Sequence, residues 1–355
     1  MDEAVWLFTQ ADIHSLGELA HAIRTEKNGD KVYVVKNRHV NPTNICAYHC
    51  TFCSFRKDPG EDGAYLYKPD EIVSKLKKEN LDGLSEIHVV GGMPEVELAP
   101  YEYYLEIVKA LKEAFPKACI KAYTAVEVKW FSDITGKSYE RVLMDLMQAG
   151  VEMLPGGGAE IFDWEVRRRI CPEKVNGDEW LEIHRTAHKL GLKSNATMLY
   201  GHIEEPHHKA DHLLRLFDLQ EETGGFLAFI PLAYHPENNR LRREFFTTGS
   251  SDLRHLAAAR IILHNFPHVK AYWVEFGLSL AQVMLSWGAD DLDGTIIEEH
   301  IYHDAGAKTP QGVTISYLVR LIEEAGFKAV LRDALYNEVE VEKGVVGTQR
   351  LSQTT

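Results

Sequence analysis

Residues 46–55 read Cys-Ala-Tyr-His-Cys-Thr-Phe-Cys-Ser-Phe and follow a β-rich segment, residues 32–40. Cys46, Cys50 and Cys53 are spaced by four and then by three residues, so one loop can present all three thiols to one face of an iron–sulfur cube. A [4Fe–4S] cluster normally takes four cysteine ligands. Three cysteines therefore predict a cluster in which one iron is left open for a ligand that the protein does not supply.

A zinc site is the main alternative for these thiols. Structural zinc usually requires a fourth cysteine or histidine at a second paired spacing. Cys119 and Cys171 are isolated in the sequence, but His39 and His49 are near enough to the cysteines to serve as ligands. A disulfide framework is disfavoured, because five cysteines in 355 residues are an odd and sparse set. The oxygen sensitivity of cluster thiolates favours a reducing compartment.

The composition is that of an ordinary globular protein, with 45% hydrophobic and 26% charged residues. The net charge of −14 argues against nucleic acid as the main partner. No apolar run approaches the roughly 18–20 residues that span a bilayer, and the N-terminus lacks the basic and then apolar order of a secretory signal. We therefore expect a cytoplasmic protein that binds neither nucleic acid nor membrane.

Strand-like stretches alternate with helical patterns along the chain. The candidate strands are residues 31–40, 86–90, 118–125, 151–154, 193–199, 225–232, 269–273 and 291–296. Eight strands, each followed by a helix, are the period of a TIM-like (β/α)8 barrel. We therefore expect an α/β protein with three segments: a short N-terminal helical preface (1–30), the barrel (31–340) and a C-terminal tail (341–355).

The residues that suggest chemistry fall at the predicted C-terminal ends of the strands, where barrels of this kind place their active sites. In chain order they are the cysteine loop, Gly91-Gly92, Glu127, the loop 155–160, His202 and the loop 235–238, and Asp291 and Asp293 lie at the eighth predicted strand itself. A shared function explains this coincidence better than the fold does.

The cysteine spacing, with Phe52 directly before the third cysteine, resembles that of radical S-adenosylmethionine (SAM) enzymes. In that superfamily the open iron chelates the amino and carboxylate groups of SAM, and an electron from the cluster cleaves SAM to a 5'-deoxyadenosyl radical. The resemblance implies a radical SAM barrel whose strand-end loops bind SAM. The candidate SAM-binding residues are Phe52, Gly91, Gly92, Glu127, Glu160 and Arg167.

Two of these assignments have plain alternatives. Paired glycines let a backbone come close to a ligand, but Gly91-Gly92 could also be a simple turn. Glu160 and Arg167 are seven residues apart and would share a face if the residues between them were helical. They could then address the SAM ribose or amino group and its carboxylate, or they could be a solvated pair within a run of three arginines.

Over residues 16–337 the chain resembles the aminodeoxyfutalosine synthase family, the radical SAM enzymes of the futalosine route to menaquinone. The segments that carry the resemblance are 41–46, 124–127, 155–160, 231–238, 289–296 and 301–306. The chain departs from the family at Gly91-Gly-Met-Pro-Glu95, where the usual reading is Gly-Gly-Leu-His-Pro. A role that rests on a histidine there is therefore not carried over.

The resemblance implies that SAM is consumed as a co-substrate. Its adenosyl radical would add to the enol-ether double bond of 3-[(1-carboxyvinyl)oxy]benzoate, and the adduct would rearrange onto the ring and lose its carboxylate as bicarbonate. The products would be 6-amino-6-deoxyfutalosine and methionine, with flavodoxin or ferredoxin as the type of electron donor. The candidates for the substrate carboxylates are His202, His235, Asn238 and Arg240, and those for donor positioning or proton transfer are Asp291 and Asp293.

Two other functions remain open from the sequence. The same barrel could cyclise dehypoxanthinylfutalosine, a reaction in which the radical abstracts hydrogen and 5'-deoxyadenosine is released. Alternatively, the chain could be a metal-binding structural protein without turnover.

Overall fold

The computed structural model describes residues 1–242 and 244–339, so the expected tail at 341–355 lies outside the described residues. Ten strands are present in this part of the chain. They are β1 (Lys31–Val35), β2 (Asn37–Val40), β3 (Glu86–Val89), β4 (Cys119–Ala122), β5 (Met153–Leu154), β6 (Lys193–Tyr200), β7 (Phe226–Ala233), β8 (His268–Val269), β9 (Asp291–Gly294) and β10 (Lys328–Arg332).

The strands form a closed parallel barrel. β2 to β8 pair in chain order as a seven-stranded sheet, and β1 lies between β10 and β9 in a three-stranded sheet. Only Lys36 separates β1 from β2, and Lys270, just after β8, pairs in parallel with Asp291 of β9. The two sheets therefore join into one barrel wall of eight segments, and the predicted α/β barrel is confirmed.

All eight predicted strands are present, but several are shorter than predicted. The first is interrupted at Lys36, the third ends at Ala122, and the fourth and seventh are reduced to Met153–Leu154 and His268–Val269. The sequence did not predict β10, which pairs with β1 over five residues, from Lys31 opposite Lys328 to Val35 opposite Arg332. β1 and β2 form one continuous segment of the wall. β3 pairs with its second half, β2, and β10 pairs with its first half, β1, so β10 completes the wall at the N-terminal end of the barrel.

Fourteen helices accompany these strands within the described residues, and none of them is long and apolar enough to cross a bilayer. They are α1 (Asp2–Thr9), α2 (Ile13–Asn28), α3 (Pro69–Leu76), α4 (Tyr101–Ala114), α5 (Ala125–Thr135), α6 (Tyr139–Ala149), α7 (Trp164–Ile170), α8 (Gly177–Lys189), α9 (Pro206–Thr223), α10 (Gly249–Ile262), α11 (Trp273–Phe276), α12 (Leu278–Met284), α13 (Ile301–Asp304) and α14 (Ile315–Glu324).

The preface covers the N-terminal end of the barrel. α2 packs against α10, and the buried guanidinium of Arg24 donates hydrogen bonds to the backbone oxygens of Lys31 (2.6 Å) and Ala289 (3.4 Å). These carbonyls lie at the start of β1 and just before β9, so α2 fixes the entry of both strands. The opposite, C-terminal end of the strands is left for the functional loops.

Candidate active site

One cavity of about 300 Å³ opens among the loops at the C-terminal ends of the strands. This volume is at the small end of the range for ligand sites. Predicted site residues that line it are Cys46, Cys50, Phe52, Cys53, Gly91, Gly92, Glu127, Glu160, His235 and Asp293. They come from loops that are far apart in the sequence, and the barrel brings them together as predicted.

Backbone hydrogen bonds from three directions hold the cysteine loop. The amide of Ala47 donates to Met93 O (2.8 Å), the amide of Thr51 donates to Ile170 O (2.8 Å), and Arg240 donates its amide to Thr51 O (2.8 Å). The glycine loop after β3, the end of α7 and the loop after β7 therefore fix the loop between its cysteines.

The three thiols of this loop are free and line the same cavity. Burial raises the pKa of Cys50 and of Cys53, and the ammonium of Lys174 opposes that rise in both. In the described residues, no group of three or more His, Cys, Asp or Glu side chains is arranged around a single ion. Three thiols around one cavity, Cys50 buried and Cys46 and Cys53 half-buried, suit a larger cationic group, whose iron atoms would supply the charge that thiolate ligands need.

The glycine loop packs directly on the chain that leads into Cys46. A β-carbon at Gly92 would clash with the backbone carbonyl of Ile45, and the Gly92 amide donates a hydrogen bond to Thr43 O (2.8 Å). The sequence predicted that Gly92 makes room for a ligand. The structure shows that its missing side chain first makes room for the backbone of the cysteine loop.

Glu127 lies at the start of α5 and is almost fully buried. One of its carboxylate oxygens, Oε2, accepts a hydrogen bond from the Thr124 amide (2.9 Å), which makes the pair a helix capping box. The other oxygen, Oε1, is buried without a hydrogen-bond partner among the described residues, so it can accept a hydrogen bond from a group that enters the cavity. Burial raises the pKa of Glu127.

Glu160 and Lys174 form a buried ion pair in the cavity wall, 2.7 Å from oxygen to nitrogen. The Lys174 ammonium also lies 5.1 Å from the centre of the Phe52 ring, within the cysteine loop. Burial opposes the charged form, but Glu160 and the nearby thiols raise the pKa of Lys174 well above its usual value. The sequence did not single out Lys174, the cation whose charge acts most on the thiols of Cys50 and Cys53.

His235 and Asp293 enter the cavity from its other side. The His235 ring makes T-shaped contacts with Phe246 and Tyr302, at centroid distances of 5.4 and 5.2 Å, and its Nδ1 is buried with no hydrogen-bond partner in the part of the chain that the structure describes. Burial lowers the pKa of His235, which favours the neutral imidazole. The Asp293 carboxylate accepts hydrogen bonds from Lys270 (3.0 Å) and Asn37 (3.0 Å). Burial opposes ionisation, but Lys270 keeps the pKa of Asp293 well below its usual value.

Two family models match the chain: the radical SAM superfamily at residues 40–217, and the CofH/MqnC C-terminal region at residues 223–345. The aminodeoxyfutalosine synthase of Thermus thermophilus is 50% identical over 96% of this chain and 92% of the relative. The chain belongs to the aminodeoxyfutalosine synthase family, within the radical SAM superfamily. Membership of this family makes it an enzyme and implies a [4Fe–4S] cluster and SAM.

Other relatives of this aminodeoxyfutalosine synthase family member include proteins named for the same activity and for a different one. A Streptomyces coelicolor aminodeoxyfutalosine synthase is 44% identical over 94% of this chain and 89% of the relative. A Methanopyrus kandleri 5-amino-6-(D-ribitylamino)uracil–L-tyrosine 4-hydroxyphenyl transferase is 39% identical over 93% and 90%. Among solved structures, methylornithine synthase (PylB) superimposes with a TM-score of 0.73 at 17% identity, covering 92% of this chain and 93% of its own. At that identity, the structural likeness concerns the fold alone.

Five predicted residues of this synthase family member lie outside the cavity. Arg167 is fully buried behind the loop 156–160, and its guanidinium donates to the carbonyls of Gly158 (3.2 Å) and Ile161 (3.1 Å). The condition under which Glu160 and Arg167 would share a helix face is not met, because α7 begins only at Trp164. Arg167 therefore shapes the loop from behind and does not face a ligand in the cavity.

The other four also bond to protein groups. The His202 imidazole is buried and bonds to Leu199 O (3.0 Å), and Asp291 accepts hydrogen bonds from Arg332 (2.7 Å) and the Tyr336 hydroxyl (2.7 Å). Asn238 donates to Asp304 O (3.0 Å) in a second groove, and the Arg240 guanidinium donates to His49 O. Position in the chain did not predict the direction of these side chains, and Asp291 is the first residue of β9 and does not follow that strand.

The cavity also contains residues that the sequence did not mark as site residues. They are His88, Lys121, Lys174, Asn195, Tyr272 and Tyr302. His39 lines it as well, although the sequence offered it only as a zinc ligand. Polar residues in otherwise apolar strands could have predicted His88, Lys121 and Asn195. In a barrel strand, such side chains point toward the interior, where the cavity lies.

Proposed function

We propose that this enzyme joins the adenosyl group of SAM to 3-[(1-carboxyvinyl)oxy]benzoate and forms 6-amino-6-deoxyfutalosine, methionine and bicarbonate. The observation that carries the proposal is a single cavity containing three free thiols, two acceptors without partners and a set of donors. The 50% identity to an aminodeoxyfutalosine synthase supports the choice of reaction.

Cys46, Cys50 and Cys53 are the proposed ligands of the [4Fe–4S] cluster, since they alone among the cysteines line the cavity. When bound, the cluster supplies the electron that cleaves SAM. A reducing compartment, such as the cytoplasm, keeps these thiols free, and a small acidic electron-transfer protein such as flavodoxin or ferredoxin is the proposed donor.

SAM is proposed to lie between the cysteine loop and the loops after β3, β4 and β5. Glu127 Oε1 and Asn195 Oδ1 are buried acceptors without partners that suit the amino and hydroxyl donors of a nucleoside amino acid. Glu160 adds an anionic acceptor, and Lys174 is the proposed partner of the SAM carboxylate in place of Arg167. Gly91 and Gly92 let the backbone form the adjoining wall.

The aromatic acid is proposed to bind on the side of His235 and Asp293. The rings of Tyr272 and Tyr302 meet edge to face, with their centroids 5.7 Å apart, and provide two aromatic walls that exclude water from the reacting carbon. His235 offers a neutral imidazole that can donate a hydrogen bond to a carboxylate or hold a proton at Nδ1. Asp293 stays ionised and fixes the Lys270 ammonium in the barrel.

The reaction is tested with reconstituted protein, a strong reductant, the enol ether and SAM labelled in its adenosine carbons. We expect one SAM consumed per turnover and the label in 6-amino-6-deoxyfutalosine, with little 5'-deoxyadenosine at saturating substrate. Label that appears almost wholly in 5'-deoxyadenosine would replace addition by hydrogen abstraction, as in the cyclase. A parallel incubation with L-tyrosine and 5-amino-6-(D-ribitylamino)uracil examines the activity named for the Methanopyrus relative.

A further inference from the structure

Three strands present a row of nitrogen donors to the inner end of the cavity. His39 on β2 pairs in register with His88 on β3, and His88 pairs with Lys121 on β4. Register partners point to the same face of a sheet, so the three side chains enter the barrel side by side. The rings of His39 and His88 lie 4.7 Å apart, and all three residues line the cavity. We call His39, His88 and Lys121 the basic row.

The imidazoles of the basic row have no hydrogen-bond partners among the described residues. The two rings contact each other in an edge-to-face arrangement. Burial lowers the pKa of both histidines, so each is a neutral ring with one N–H to donate. The Lys121 ammonium uses one of its hydrogens on Glu86, at 2.6 Å. Its other hydrogens and the two imidazoles make a set of donors that the protein itself does not satisfy.

The acids near the basic row already have cationic partners. Glu86 is paired with Lys121 at 2.6 Å, and Asp293 is paired with Lys270 at 3.0 Å. Glu299, the acid whose charge acts most on His39, is paired with His303 at 3.1 Å. The negative charges of these acids are therefore already neutralised by cations, and an anion that enters this end of the cavity can accept hydrogen bonds from the unused donors of the basic row. A carboxylate suits these donors, because its two oxygens offer about four acceptor positions.

We propose that His39, His88 and Lys121 bind the ring carboxylate of the aromatic substrate and thereby set its orientation in the barrel. This inference rests on the proposed function. The enol-ether carbon must reach the adenosyl group near the cysteine loop, which follows β2. The basic row lies within the strands below that loop, so the end of the substrate that is remote from the reacting carbon occupies it. The ring carboxylate is that end.

The histidines are better test positions than Lys121, because removing Lys121 would leave Glu86 buried without its cation. His88→Phe keeps the size of the ring but removes its donor, and His88→Gln keeps an N–H group. Each variant is compared with the wild type on two substrates: the native enol ether, and 2-phenoxyacrylate, which lacks the ring carboxylate. Iron content and SAM cleavage without substrate report whether the fold and the cluster are intact.

We expect His88→Phe to lower kcat/KM for the native substrate about tenfold or more, as for a lost hydrogen bond to a charged group. The same variant should change kcat/KM for 2-phenoxyacrylate by less than about threefold, because that substrate has no carboxylate to lose. His88→Gln should retain most of the native activity. Equal losses on both substrates would overturn the assignment of the basic row.

A binding measurement separates this inference from the reaction. Calorimetric titration of the cluster-loaded protein with 3-methoxybenzoate needs no turnover, and His88→Phe should raise its Kd about tenfold. An unchanged Kd overturns the basic row even if the wild type makes 6-amino-6-deoxyfutalosine. If the wild type binds the benzoate through His88 but makes no adenosylated product, the proposed reaction fails and the carboxylate site stands.

Discussion

The two ends of the cavity differ in how the chain builds them. The cysteine end consists of a single loop of consecutive residues, 46–53, which is held by the glycine loop and the end of α7. The inner end consists of single residues from separate strands, such as His39, His88 and Asp293. The first end depends on local spacing and the second on strand register, so substitutions should affect them differently.

The largest effect is expected from Cys50→Ala, at the cysteine end. Its thiol is buried in the cavity wall, and no other cysteine lines the cavity except Cys46 and Cys53. The variant should lose its iron after reconstitution and all SAM cleavage, as measured by iron analysis and 5'-deoxyadenosine release.

Cys171→Ala is the matched control for that prediction. Cys171 ends α7 directly behind the cysteine loop, close enough to influence the pKa of Cys50, but it does not line the cavity. It should keep its cluster, as should Cys119→Ala. Full iron content in Cys50→Ala, or loss of iron in Cys171→Ala, would show that the ligand set is wrong.

Gly92→Ala is expected to have the next largest effect. Because the added β-carbon would clash with the carbonyl of Ile45, the cysteine loop must move, and most of the iron should be lost together with SAM binding. Gly157→Ala is the control, since its β-carbon would lie 3.1 Å from Thr124 Cγ2, where a small shift suffices. A Gly92→Ala protein with full iron and only weak SAM binding would mean that the glycine serves the ligand and not the loop.

Glu86→Gln examines the inner end through stability. Glu86 and Lys121 are both almost fully buried and pair at 2.6 Å, so neutralising one leaves the other charge uncompensated. Loss of one partner from a buried pair typically costs about 3–5 kcal/mol of unfolding free energy. Urea unfolding should show this loss, whereas Glu165→Gln, which changes an exposed pair with Arg168, should stay within about 1 kcal/mol of the wild type. Equal free energies of unfolding for the two variants would contradict the claim that the buried Glu86–Lys121 pair stabilises the fold.

The smallest effect concerns His303, on α13 in the second groove, outside both ends of the cavity. Its hydrogen bond with Glu299, at 3.1 Å, raises the pKa of His303 to about 8. The folded-state pKa lies above the unfolded one, so the pair stabilises the fold fully below about pH 6.5 and loses that contribution as the pH rises through about 8. Glu299→Gln should move the His303 midpoint, followed by NMR, toward about 6.5. A midpoint that does not move would rule out Glu299 as the cause.

Local patterns predicted the cysteine end well, because ligand spacing and a strand-end loop are properties of neighbouring residues. The eight strands and the positions of Glu127, Glu160, His235 and Asp293 at one cavity follow from the same reasoning. The direction of side chains could not be predicted in this way. His202 and Asp291 also lie near strand ends, yet each turns away from the cavity to satisfy backbone or side-chain partners.

The sequence by itself determined the three-thiol loop, the repeating strand and helix pattern and the family, because each is written in consecutive residues or in their period. Only the tertiary structure decided that Lys174 lies beside the thiols, that Gly92 accommodates the backbone of Ile45, and that His39, His88 and Lys121 form one row. These contacts join segments separated by tens of residues. Their geometry depends on strand register and barrel closure, and the register of one strand against the next is a property of the folded barrel as a whole.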